Sequence, residues 1–198
     1  MPSPYETALA AIDAAHSEDP TTTLVPDNPT PIPYELLYAQ KSTSYLTLLR
    51  PNASEALRLA VRAQHFRRWE VPRSSYPMTR IGYHGWRTFL KKRQAELAAA
   101  ICSTAGLPAE TVERVAKLIR KEGLAQGDEE TQALEDVACL VFLDDQLEGF
   151  EEGLKDDEKV VAILRKSWAK MSPRGHEVAL GLKMGDRQRA LVEKALAG

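Results

Sequence analysis

The chain is poor in cysteine and histidine and has no long apolar run, and each scarcity removes a class of function. Its longest apolar stretch is the seven residues Val137 to Leu143, far short of the roughly 20 that a membrane-spanning helix needs. No membrane segment is expected. The two cysteines, Cys102 and Cys139, each sit among apolar neighbours on a predicted helix, a setting that suits small buried thiols rather than a disulfide framework or a zinc knuckle. There is no Gly-rich phosphate loop, no dinucleotide fingerprint and no nucleophile elbow, which excludes the usual nucleotide-binding and α/β-hydrolase readings. The first residues, MPSPYETALAAIDAAHSEDP, lack both a basic start and a continuous apolar stretch, so no signal or transit peptide is expected and the cytoplasm is the default compartment.

What is present is helical. A length of 198 residues with 43% hydrophobic and 27% charged residues fits one soluble domain over residues 1–198. Apolar residues recur at helical spacing almost throughout, with no strand-like alternation bounded by hairpin turns, so the fold class is all-α, a helical bundle. The periodicity predicts a first helix from Tyr5 to His16 and then an extended surface segment, DPTTTLVPDNPTPIP, too rich in proline for a helix. A second helix begins near Tyr34 and stops before Pro51. A third starts at Asn52, capped with Glu55, carries Ala53, Leu57, Ala60 and Val61 inward, and continues to Pro72. Extending that stripe by helical steps turns Gln64, His65 and Arg68 toward the interior. A long connection carrying His84 follows, then a helix from Trp86 to Ala105, an amphipathic helix ending at Gly123, and a central helix through the apolar run. Two last helices, over roughly 158–170 and 186–197, flank a loop, KMSPRGHE.

The charge is unevenly laid out. Between Arg58 and Arg93 there are ten basic residues and one acid, Glu70, whereas acids dominate from Asp128 to Glu158. Either the two segments face each other, or the basic one lines a pocket for an anion. His65, Glu135 and Asp136 form the candidate catalytic group, because a buried carboxylate requires a cation, a metal or several donors. Arg62, Arg68, Trp69, Arg73, His84 and Arg87, with Lys170, Ser172 and His176 of the KMSPRGHE loop, are the candidate substrate-binding residues, since guanidinium forks suit carboxylates and phosphates. The expected partner is a small anionic molecule. Nucleic acid is disfavoured, because the net charge is -2 and part of the basic segment points inward. KMS matches the start of the KMSKS loop of class I aminoacyl-tRNA synthetases, but that loop belongs to an α/β fold absent here, so synthetase activity is rejected.

On RAQHFRRWEVPRSSYPM, GYHGWR, LEDVACLVFL and KMSPRGH, the chain resembles domain-of-unknown-function family 4202, members of which are often labelled glutamyl-tRNA synthetases. That resemblance spans nearly the whole chain and implies no activity. It groups His65, Trp69, Glu135, Asp136 and the Lys170 to His176 loop in one module. The order of parts also resembles the HD-domain metal hydrolases and oxygenases, with Gln64 and His65 standing where those proteins have His-Asp. Gln94 takes the place of a further histidine, and Asp136 that of the last aspartate. This likeness implies an HD-like bundle and a soft divalent-metal site of His65, Glu122 and Asp136, poorer in histidine than is usual for transition metals. Three readings follow: an acid-base enzyme, an HD-type phosphohydrolase or oxygenase, and a non-catalytic binding or scaffold protein.

Overall fold

The computed structural model describes residues 1–25, 28–147, 149 and 156–197. The chain is an all-α bundle: α1 Pro4–His16, α2 Tyr34–Leu49, α3 Glu55–Arg62, α4 Arg80–Thr104, α5 Ala109–Arg120, α6 Glu129–Val141, α7 Asp157–Trp168, α8 Pro173–Leu180 and α9 Asp186–Leu196. Helix α1 begins at a reciprocal cap in which Glu6 N–H donates to Ser3 Oγ at 3.2 Å and Ser3 N–H donates to the Glu6 carboxylate at 2.7 Å. The Pro-rich segment is not merely extended. It forms a small antiparallel hairpin, β1 Thr22–Val25 and β2 Asn28–Pro33, pairing Thr23 with Ile32 and Val25 with Asn28. Proline at every second position of β2 confines the missing N–H groups to one edge, so the ladder survives a composition that reads as coil.

Two apolar clusters hold the helices. In the first, Ile12, Tyr38, Leu57, Val61, Ala98, Leu118, Leu134 and Val137 join α1 through α6. In the second, Leu140, Leu143, Val160, Leu164, Ala179 and Leu191 join the end of α6 to α7, α8 and α9. Helix α6 belongs to both, which is why its middle is apolar on nearly every side. After Val141 the helix widens into a π-helical turn, Phe142–Gln146, and Asp145 of that turn accepts from Tyr34 Oη and Lys41 Nζ, both at 2.7 Å.

Several boundaries differ from the sequence reading, each for a physical reason. The cap of α3 is Ser54, whose Oγ accepts from Leu57 N–H at 3.1 Å; Asn52 lies in the turn before it. Helix α3 ends at Arg62 rather than running to Pro72, because His65 and Arg67 adopt left-handed backbone with φ of 61° and 50°. Helix α4 starts at Arg80, with Thr79 as its cap, so His84 lies on a helix and not on a loop. Gly82 allows close approach there: a Cβ at this position would stand 2.1 Å from Pro77 O. The KMSPRGHE stretch is likewise the start of α8, with Ser172 as its cap.

Candidate functional site

The turn after α3 sets the site. Residues 67 to 69 lie in a tight bend, and their three backbone N–H groups donate to one buried carboxylate, Glu35, at 2.9, 2.5 and 3.2 Å. Glu35 also pairs with buried His16 at 3.2 Å, while the other ring nitrogen of His16 lies 2.9 Å from Arg62 O. Asp19 accepts from Glu35 N–H at 3.0 Å. This network turns the chain back on itself and presents His65 and Arg68 on one side.

His65 stacks on Tyr38 at 4.0 Å between ring centroids and 18° between planes. Arg68 Nη1 donates to His65 Nε2 at 2.8 Å, which requires an imidazole with its lone pair on Nε2. Burial, then the positive charges of Arg68, Lys121 and Arg87, hold the His65 pKa well below the usual imidazole value. Arg68 itself lies over the Trp86 ring at 4.7 Å. Burial disfavours its charge, as does nearby Arg87.

Across from this turn stands Glu135 of α6, buried and paired with Lys121 Nζ and, at 3.8 Å, with Lys170 Nζ. Burial raises the pKa of its carboxyl, but Lys121, Lys170 and Arg87 outweigh it and the net shift is downward. Lys91, one turn after Arg87 on α4, is held below the usual lysine value by burial and by Lys121, Arg87 and Lys170. Arg68, Arg87 and Lys121 thus act on His65, Arg87, Lys121 and Lys170 act on Lys91 and on Glu135, and Glu135 is the carboxylate that Lys121 and Lys170 pair with. Among the described residues Arg68, Arg87 and Lys91 have no carboxylate within salt-bridge distance. Backbone strain concentrates here too. The non-glycine residues with left-handed φ among those described are His65, Arg67 and Lys121, and two of them supply side chains to this cluster.

The remaining candidates go elsewhere. Asp136 is buried and accepts from Ser172 N–H at 2.8 Å and Ser172 Oγ at 2.5 Å, which fasten the start of α8 to α6, and from Gln132 Nε2 of its own helix at 2.9 Å. Arg62 forks onto Asp13 at 2.6 and 2.9 Å and reaches Thr43 Oγ1 at 3.0 Å. Arg73 spends its guanidinium on the carbonyls of Tyr76 and Pro77 at 3.0 and 2.8 Å, bracing the connection into α4. His176 stacks on Trp168 at 4.1 Å and bonds Trp168 O. His84 is exposed. Glu122 is exposed and pairs with Arg120 at 2.6 Å. Among the described residues no three His, Cys, Asp or Glu side chains come together as a metal-holding group, so the expected His65, Glu122 and Asp136 set is not assembled.

The sequence reading missed Glu35, His16 and Lys121. A lone acid beside a run of helix-forming residues carries no signal of a distant turn to cap. The signal for Lys121 was available: RKEG ends α5 with a left-handed residue, and that conformation falls on Lys121, two residues before Gly123.

The depressed His65 pKa has a sign that can be checked. The unfolded chain takes up a proton near pH 6.5 that the folded chain refuses, so this contribution to stability is fully present above that pH and is lost below it. Relative to His65→Gln, the wild type is expected to lose about 1 kcal/mol between pH 6.5 and 5.5 in urea denaturation. A difference between the two that does not change with pH would mean that His65 titrates normally.

Fold and site together define an all-α protein in which a neutral histidine faces a group of cations. A family profile described as Domain of unknown function (DUF4202) matches residues 6–192, and the chain belongs to that family. Comparisons with curated proteins and with solved structures gave no match. Among the described residues no helix is long and apolar enough to cross a membrane.

Proposed function

We propose that the chain is a cytoplasmic enzyme that binds a small anionic metabolite among Arg68, Arg87, Lys91, Lys121 and Lys170 and uses His65 to move a proton on it. The observation that carries this reading is the imbalance of charge: cations gathered round a half-buried imidazole, three of them without a carboxylate among the described residues. Like charges held together repel, and a fold that keeps them so is stabilised by an anion that enters. In the free protein the Nε2 lone pair of His65 is taken up by Arg68. An anion that draws the Arg68 guanidinium onto itself frees Nε2 to accept a proton from the bound molecule.

In this reading Glu135 is a positioning residue that holds Lys121 and Lys170, and Asp136 fixes the start of α8 beside Lys170. The HD-type, metal-dependent alternative rests on the order of helices, and no grouping of ligands among the described residues favours it. The test is a thermal-shift screen of phosphates and carboxylates on wild type and Arg68→Gln. One class of anion is expected to raise Tm in the wild type, and Arg68→Gln to bind it about tenfold to a hundredfold more weakly, the range for a hydrogen bond to a charged group. His65→Gln should retain binding and lose turnover. The proposal fails if no anion stabilises the wild type, or if Arg68→Gln binds as tightly.

A further inference from the structure

Among the described residues two buried side-chain donors have no hydrogen-bond partner. Gln94 is 7% exposed and its Nε2 makes no hydrogen bond; Trp69 Nε1 is likewise buried and unpaired. Gln94 lies three residues after Lys91 and seven after Arg87, the spacing that puts all three on one stripe of α4. Trp69 follows Arg68 in the turn that carries His65. A buried N–H without an acceptor is costly and rare in folded proteins, and these two lie on the segments that carry Arg68, Arg87 and Lys91.

Resting on the anion site proposed above, we infer that its ligand is a polyanion with oxygen acceptors on at least two centres, long enough to meet the cations of α4 and α5 and the N–H groups of Gln94 and Trp69 together. The count of donors argues this. One tetrahedral or planar anion satisfies a guanidinium fork and one or two further donors. Here two guanidinium groups, three ammonium groups and two orphaned N–H groups lie on four separate segments: the turn after α3, α4, the end of α5 and the start of α8. Pyrophosphate and citrate carry this chemistry from two sources, a condensed phosphate and a polycarboxylate. Orthophosphate and acetate are their single-centre counterparts.

The experiment is calorimetric titration of the full chain with these four anions at fixed ionic strength, on wild type, Gln94→Met and Lys91→Gln. Pyrophosphate or citrate is expected to bind at least tenfold more tightly than its single-centre counterpart, and which of them does so identifies the source. Gln94→Met removes an unpaired buried donor at nearly constant volume, so the free protein should melt at the same or a higher temperature while the affinity for the polyanion falls about tenfold. Lys91→Gln, at a partly exposed position, should weaken binding without loss of Tm. If orthophosphate or acetate binds as tightly as its larger counterpart, the polyanion inference falls and the anion site stands. If none of the four binds, both fall. A lower Tm in Gln94→Met with unchanged affinity would make Gln94 structural and overturn the inference.

Discussion

Replacing Glu35 with alanine is expected to cost about 3 to 5 kcal/mol of stability, the range for removing one partner of a buried ionic network. Glu35 is 4% exposed, and its two oxygens accept from the N–H groups of Arg67, Arg68 and Trp69 as well as facing His16. Without it, backbone donors in a left-handed bend lose their acceptor, and Arg67 has no glycine-like freedom to relax. The same turn carries His65 and Arg68, so the variant should also bind the anion more weakly. Glu35→Gln serves as the comparison: it keeps the shape but presents an amide N–H to a ring of donors, and should recover only part of the loss. Urea denaturation with a shared slope measures both. A loss under about 1 kcal/mol for Glu35→Ala would show that the turn holds itself without the carboxylate.

The sequence made the helices legible because burial follows the 3.6-residue period, and α1, α2, α5, α7 and α9 lie within a few residues of where their apolar stripes place them. Charge asymmetry likewise pointed to the segment that carries Arg68, Arg87 and Lys91. What was not legible is what depends on tertiary contact. Two left-handed residues end α3 early, and the second of them, Arg67, is held by Glu35, 32 residues away in sequence. The segment before Trp86 reads as a connection, whereas in the fold it is already α4 and Gly82 admits the Pro77 backbone against the helix. Arginine was overcounted as ligand-binding for a related reason. Guanidinium chemistry makes Arg62 and Arg73 candidates, but does not show that Asp13 and a set of carbonyls already occupy them.

Asp136 is where a catalytic and an architectural assignment give opposite results, and the expected outcome is architectural. Its carboxylate holds Ser172 through both N–H and Oγ and takes Gln132 Nε2 as well. Gly175 packs so close that a Cβ there would stand 2.9 Å from Asp136 Cγ. Asp136→Ala should therefore leave the Ser172 N–H and hydroxyl without their acceptor in a partly buried place, at about 1 to 3 kcal/mol for each group and about 2 to 6 kcal/mol in all. Amide exchange should quicken across residues 172–176, and Lys170, which precedes this cap and faces Glu135, should lose its placement and weaken anion binding. A residue used only for chemistry would instead give a variant of wild-type stability that had lost turnover. A double-mutant cycle with Ser172→Ala separates the two. Coupling of about 1 to 3 kcal/mol between the sites makes the bond structural, while additive effects would return Asp136 to the pool of groups available to a substrate.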